Sequence, residues 1–599
     1  MKPLLQKQPL LSFLLASLLL TQPLLSQNAA LVAKGPEHEE RMQWWRDARF
    51  GLFIHWGLYA IPAGVWKGET ARKDYAEWTM HNFQVPQAEY SQLAKDFNPT
   101  EFDADVWARL AKEAGMKYFV LTTKHHDGFA MYDSEISDYN VVDATPFKRD
   151  VFGELVEAFT KQGLRVGAYY SQDLDWSVDQ GGAISSYNTW DFDNPEPNYE
   201  KFDQYLKEKA LPQIEEISTK YGDISTYWFD FPRMVNKDRG KLVHDTVRAT
   251  QPDAVINGRI CTPQGNWADY LVPGDNGFFT SPQPADWECC ATMDESWGYK
   301  VHAHAKRTAD DLIFQLATTV AAGGNLLLNI GPKPDGTIPQ RQIDILEKIG
   351  VWMKDNSEAI HGCRANPFKE FFSWGPCTVK GNQAFMHIAD WEAGKVVELP
   401  RLQNKVEKVE LLGDLDRKLE WKQDGTDLKI TLSGESTCTS LSVIKVTCAG
   451  DTLEIDPPAI AEEDGILVLE TRYGESLGQK MRNLRHSLVE GKVVTLASEG
   501  HSSEKMVWEI SIDEPGTFEV TANFLEADRK GVRPRSLLVN TGGKANLTKE
   551  VTDKSIDGAT QVLGEVNFSK AGSAQVTLQA RGGKGGTDLY LEGLKLTRK

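Results

Sequence analysis

KYFVLTTKHHDGF, residues 117–129, decides the fold. Tyr118 to Thr123 is an apolar run of strand length without polar alternation, the pattern of a strand buried on both faces. It ends abruptly in Lys124, His125, His126 and Asp127. Upstream, Asp105 to Ala114 places Val106, Leu110 and Ala114 at helical spacing, and Gly115 supplies a stop. Downstream, Val151 to Gln162 is again helical in pattern. A buried strand between two amphipathic helices is a βαβ unit, and that implies a parallel sheet.

The same alternation extends from about Glu37 to Gly362. Further strands are predicted at Phe50 to Trp56, Val166 to Tyr170, Ser225 to Phe229, Ala254 to Ile256 and Asn325 to Ile330. Helices are predicted at Tyr199 to Lys220, Lys241 to Thr250, Ala309 to Ala322 and Gln340 to Asp355. Closure into a barrel requires two strands beyond these six, so periodicity alone also fits an open doubly wound sheet. Gly181 to Asn198 and Cys261 to Lys300 are predicted as long loops after strands, where barrel enzymes keep their chemistry.

After Pro367 the texture changes to short strands with Gly and Asp turns, among them Val396 to Leu399, Val406 to Leu412 and Ser440 to Thr447. That is the pattern of an all-β sandwich. A second strand-rich block follows, with Val507 to Ile512, Thr517 to Asn523, Gln575 to Gln579 and Asp588 to Leu596. The expected division is a catalytic α/β domain over 37–362, a sandwich over 363–450 and a last β domain over 451–599. The last is a candidate carbohydrate-binding module or, equally, a structural spacer. Tyr473, Trp508, Phe518, Phe524, Phe568 and Tyr590 are its only evident platform.

Lys2 and Lys7 flank a leucine-rich run, Leu10 to Leu20, that is shorter than the ~20 residues of a membrane span. Residues 1–28 are therefore expected to be a signal peptide, cleaved near Ser26 or Ala30, and the protein to be exported to the periplasm or beyond. A net charge of −19 argues against nucleic acid, which is bound by clustered Lys and Arg. Seven cysteines are too few and too scattered for a disulfide framework. Cys438 with Cys448 and Cys363 with Cys377 are the candidate pairs, and no CxxC spacing suggests zinc.

Polar residues gather at the strand ends: His55-Trp56, Lys124 to Gly128, Tyr169 to Ser171, Trp228 to Asp230 and Asn257 to Arg259. In a parallel barrel these ends share one face. His125 and His126 could cap a turn or bind a ligand. As neighbours on an extended strand they should point to opposite faces, which disfavours a shared metal ion and suits hydrogen bonding to hydroxyls. Asp230 ends an aromatic strand, where an unpaired carboxylate would be expensive to bury.

FGLFIHWG (50–57), EWTMHN (77–82), YYSQDLDW (169–176) and YWFDF (227–231) resemble glycoside hydrolase family 29, the α-L-fucosidases. So do the decisive stretch and its upstream helix. The likeness continues through Asn257 to Arg259, Trp287 to Cys289, Ser296 to Lys300 and Gly323 to Pro339, and ends at Asn356 to Gly362. It implies a (β/α)8-type, TIM-like catalytic barrel followed by C-terminal β-sandwich domains, acting on fucosylated glycans without metal or cofactor. It implies Asp230 as nucleophile, and His55, Glu77, Trp78, His125, His126, Tyr169, Trp228 and Arg259 as sugar-binding residues. Arg259 would hold Asp230 ionised. For the acid/base, Glu288 is the first choice, Asp275 the rival and Glu295 the third. The competing readings are a catalytically silent fucose-binding protein and a glycosidase for a related sugar such as galactose.

Overall fold

Seven parallel strands form one curled sheet: β1 Phe50–Ile54, β2 Tyr118–Lys124, β3 Arg165–Tyr170, β4 Ile224–Phe229, β5 Val255–Ile256, β6 Glu288–Thr292 and β7 Asn325–Ile330. Their order is β5-β4-β3-β2-β1-β7-β6. This is a computed structural model, and it describes residues 35–599 apart from 71–74, 180, 182–189, 193–197, 305–306, 478–483, 490–491, 498–503, 526–534, 543–546, 553–558 and 583–588. The expected leader and most of the expected Gly181–Asn198 loop lie outside the described residues.

Six of the seven strands fall where the sequence placed them. The seventh, β6, is a correction, because it lies inside the stretch read as the long loop Cys261 to Lys300. Its five residues, ECCAT, are buried throughout, so polar alternation is absent and the run is too short to stand out. The remaining gap is bridged by Tyr270, paired in parallel with Asn257, and Leu271, paired in parallel with Trp287. These two residues occupy the eighth rung of a TIM-like barrel.

Alternate residues of each strand face inward. Phe53, Val120, Tyr169, Trp228, Cys290 and Leu327 fill the interior, while Leu52, Phe119, Leu121 and Leu328 pack against the outer helices. Helix α1 Pro36–Ala48 closes the N-terminal end with Trp45 stacked on Tyr270 at 4.6 Å. The outer helices begin at polar caps. Asp103 accepts from Val106 N, Asp150 from Gly153 N, and Thr308 with Asp311 forms a reciprocal box, each satisfying donors that a helix start leaves open. The predicted helix from Tyr199 to Lys220 is continuous but widens to a π turn over Leu206–Ala210. Pro212 follows, with no N–H to donate and a ring that crowds the preceding turn.

The C-terminal part is two β-sandwiches. The first pairs a four-stranded with a three-stranded sheet around Leu399, Leu428, Ile430 and Val446. Leu453 and Ile455 still pack on this core. The last pairs a six-stranded with a five-stranded sheet. Trp508, Phe518, Phe524 and Phe568 are buried in its core and form no exposed platform. All seven cysteines are free thiols, so neither candidate disulfide is present. The Cys438 and Cys448 side chains pack against different cores, that of the barrel and that of the first sandwich, and the Cys363 thiol instead donates to Glu358 O at 3.3 Å.

Candidate active site

The C-terminal ends of the strands open into a cavity of about 570 Å³. Strand β1 delivers His55, β2 is followed by His125 and His126, β4 by Asp230, and the turn after β5 by Arg259. The 3-10 turn Ala76–Trp78 contributes Glu77 and Trp78, and the loop before β6 contributes Asp275.

Asp230 is positioned by four neighbours. Arg259 Nη1 donates to its Oδ1 at 2.8 Å, and the amide of Phe231 to the same oxygen at 2.9 Å. Tyr169 donates its hydroxyl to Oδ2 at 3.0 Å, and His126 Nε2 stands 3.7 Å away. The second terminal nitrogen of Arg259 donates to Asp275 Oδ1 at 2.6 Å, so one guanidinium joins two carboxylates across the cavity. Burial pulls this guanidinium toward neutrality, but Asp275 and Asp230 outweigh it and raise its pKa further. It is a fixed cation.

The three imidazoles are neutral near pH 7. Burial lowers His55 to about 4 against the opposing hydrogen bond to Asn329, and lowers His125 and His126 well below the usual range, with His126 adding to the shift of His125 and Lys124 to that of His126. A neutral imidazole offers one donor and one acceptor, which suits a hydroxyl. Contrary to the strand-alternation argument, His125 and His126 line the same cavity with ring centres 4.1 Å apart. They lie just beyond β2, where the pleat no longer applies. His126 pairs with Ser171 Oγ at 2.6 Å, and His125 stacks on Tyr169.

Behind this pair Lys124 is fully buried, donating to Ser171 O at 2.7 Å, Tyr205 Oη at 2.9 Å and Asp175 Oδ2 at 3.1 Å. Lys209 reaches the same Asp175 oxygen at 2.8 Å. Burial lowers Lys124 to about 8 although Asp175 opposes the shift. Glu77 accepts from Gly298 N at 2.9 Å through Oε2, while its buried Oε1 has no hydrogen-bond partner among the described residues. Burial raises its pKa to about 7. An orphaned carboxylate oxygen in a cavity wall is a ready acceptor for a ligand hydroxyl.

Three expected residues do not line the cavity. Glu288 lies beneath its floor, fully buried, accepting from Tyr118 Oη at 2.6 Å, Trp228 Nε1 at 2.9 Å and Tyr270 Oη at 3.2 Å. Burial raises it to about 7 against those three donors. Tyr169 is stacked between His125 and Trp228 and reaches the cavity only through Asp230. Glu295 is paired with Lys300 at 2.5 Å.

The sequence reading missed several wall residues. Trp297 packs 5.0 Å from His55, and His81 and Asn82 flank Trp78. Phe231, held at φ 54°, and exposed Arg233, 5.0 Å over its ring, form the rim. Each lies in or beside a motif already noted (SWGYK, EWTMHN, YWFDF), and that was the available signal.

Pyranose rings present hydroxyls at their edge and apolar C–H faces, and this cavity answers both, with neutral imidazoles and carboxylates between indole walls. Set at the C-terminal mouth of a TIM-like barrel, it defines a glycoside hydrolase. Known proteins narrow the class: the family model for alpha-L-fucosidase matches residues 25–358. The chain belongs to the alpha-L-fucosidase family. It is 32% identical over 342 residues to the human plasma alpha-L-fucosidase, covering 53% of this chain and 68% of that protein. The alpha-L-fucosidase of Vibrio sp. strain EJY3 superposes with a TM-score of 0.71 at 30% identity, over 96% of this chain and all of that one. A Bacteroides thetaiotaomicron alpha-L-fucosidase, trapped as a covalent intermediate with 2-fluoro-fucosyl fluoride, matches with a TM-score of 0.62 at 28% identity, over 70% of this chain and 97% of that one.

Proposed function

We propose that the protein is a retaining exo-α-L-fucosidase, with Asp230 as nucleophile and Asp275, the rival in the sequence reading, as acid/base. A retaining glycosidase needs two carboxyl groups ~5 Å apart. The observation that carries the reading is Arg259, whose two terminal nitrogens bond Asp230 and Asp275 and so hold these groups one guanidinium apart at the cavity wall. Glu288 cannot reach a leaving group while Tyr118, Trp228 and Tyr270 enclose it.

In the first step an Asp230 oxygen attacks the anomeric carbon as the glycosidic C–O bond breaks, and the Asp275 proton passes to the leaving oxygen. In the second, Asp275 takes a proton from water, the water oxygen bonds the anomeric carbon, and Asp230 leaves as carboxylate. His55, His125, His126 and the free oxygen of Glu77 hold the fucose hydroxyls, while Trp78, Trp228 and Trp297 face its apolar side. The covalent intermediate of the Bacteroides relative supports the double displacement. The substrate is a terminal α-L-fucose on a glycan. The leucine-rich leader supports an exported enzyme, and among the described residues no helix is long and apolar enough to cross a membrane.

Asp230→Gly tests the nucleophile. Release of an aryl α-L-fucoside should fall by several orders of magnitude, with partial rescue by azide yielding the β-fucosyl azide. Turnover near wild type would remove the assignment.

A further inference from the structure

The loop that carries Asp275 is fastened at both ends, and one fastening belongs to the last sandwich. On the barrel side, Asn276 N donates to Cys290 O at 2.9 Å, and Asn276 Oδ1 accepts from Thr292 N at 2.9 Å, both on β6. Beyond Asp275 the chain passes Phe279, packed edge-on to Trp287 at 4.9 Å, and then leaves the barrel surface. Thr280, Ser281 and Gln283 meet Ser476 and His486, which lie on strands Glu475–Leu477 and Leu484–Val489 of the last sandwich.

The contact is reciprocal and buried. His486 Nε2 donates to Thr471 O at 2.8 Å, which leaves Nδ1 to accept the Thr280 hydroxyl at 2.8 Å. The His486 amide donates back to Thr280 Oγ1 at 3.1 Å. The amide of Ser476 donates to Ser281 Oγ at 2.9 Å, its carbonyl accepts from Ser281 Oγ at 3.2 Å and Gln283 Nε2 at 3.1 Å, and its hydroxyl pairs with Thr280 Oγ1 at 3.2 Å and Ser281 Oγ at 3.1 Å. Thr280, Ser281, Ser476 and His486 are all buried. His486 also stacks on Phe371 of the first sandwich at 5.1 Å, with 9° between the rings. Burial lowers its pKa to about 4, so the network is uncharged near neutrality. Glu370 ties the same junction together, accepting from Arg401 at 2.9 Å and from Arg472 at 3.3 Å.

We infer that the last sandwich clamps the acid/base loop, with Ser476 and His486 as positioning residues that fix where Asp275 stands relative to the leaving oxygen. This rests on the assignment of Asp275 above. A buried polar network that is fully satisfied has one low-energy arrangement, and losing one member leaves the others unpaired. The loop would then relax, and a proton donor displaced by about 1 Å can cost a hundred-fold in rate. It also gives the last domain a role that its buried aromatics do not offer as a sugar platform.

The test uses the full chain with Ser476→Ala, His486→Ala and the conservative His486→Asn. Two substrates are compared: phenyl α-L-fucoside, whose leaving group needs protonation, and 2,4-dinitrophenyl α-L-fucoside, whose leaving group does not. Rates are expressed per active site counted by inactivation with 2-fluoro-fucosyl fluoride, so misfolded molecules drop out. The expected result is a fall of roughly ten-fold or more for the phenyl substrate and under about two-fold for the dinitrophenyl one, with His486→Asn recovering part of the loss. Equal losses on both substrates, or none, overturn the clamp. Should the histidine variants yield no titratable sites, Ser281→Ala removes the barrel-side hydroxyl and is judged by the same ratio. Asp275→Asn serves as the reference and should show the leaving-group signature most strongly. If it does not, the acid/base assignment itself fails; if it does while the clamp variants stay flat, only the clamp fails.

Discussion

Replacing Glu288 by Gln separates a floor residue from a proton donor. Gln can keep its carbonyl toward Trp228 Nε1 and Tyr270 Oη and turn its amide to the Tyr118 hydroxyl, so packing and hydrogen bonds survive. What disappears is the titration. Burial raises the folded pKa from 4.5 to about 7. Below 4.5 both folded and unfolded forms are protonated. Between 4.5 and 7 the unfolded chain gives up its proton while the folded one keeps it, so stability falls as pH rises, and above 7 the loss is complete. A shift of this size corresponds to about 3 kcal/mol at ~1.4 kcal/mol per unit. Urea unfolding of the barrel transition at pH 4 and pH 8 should therefore show Glu288→Gln gaining up to about 3 kcal/mol on wild type over that interval. Turnover of phenyl α-L-fucoside should stay within a few-fold of wild type, whereas Asp275→Asn should lose roughly a hundred-fold or more, the usual contribution of a general acid. A stability difference independent of pH refutes the buried-titration argument. A large loss of turnover in Glu288→Gln, with Asp275→Asn active, refutes the division of roles.

Glu77 titrates near the same pH but faces the cavity. Competitive inhibition by fucose should strengthen from pH 6 to pH 8 in wild type as Glu77 ionises, and the dependence should vanish in Glu77→Gln. At pH 8 that variant should bind fucose about 1.5–3 kcal/mol more weakly, the range for a charge-assisted hydrogen bond, and a loss equal at both pH values would contradict it. Gly128 sits at φ 80°, and a Cβ there would run into Asp175 Oδ1 and Ser177 Oγ. Gly128→Ala should cost about 3 kcal/mol or more in chemical denaturation by breaking the buried Lys124–Asp175 pair, and a change below about 1 kcal/mol would show that the loop yields instead.

The sequence made the barrel legible wherever burial was continuous and helices stood between the strands, as for Tyr118–Lys124 and Asn325–Ile330. It hid strand β6 and the rung made by Tyr270 and Leu271 for two different reasons. Tyr270 and Leu271 make only single bridges, too little chain for any periodicity, and Glu288–Thr292 opens with a carboxylate and contains no β-branched residue before its last. The enclosure of Glu288, the first choice for the acid/base, was equally hidden, because it depends on three buried donors. Those donors come from positions 118, 228 and 270, contacts that only tertiary structure reveals. The strand-end clustering of His55, His125, His126, Asp230 and Arg259 did survive into one cavity, because a parallel barrel forces all strand ends onto one rim.

Lys124 and its two-sided partner Asp175 make the rear of the cavity rigid and intolerant of redesign: any change there leaves an ion stranded in a dry interior. Phe231 and Arg233 stand instead at the outer edge, with Arg233 exposed over the Phe231 ring. Laboratory evolution toward new leaving groups should accordingly accumulate substitutions at the entrance while the sugar-gripping histidines stay fixed.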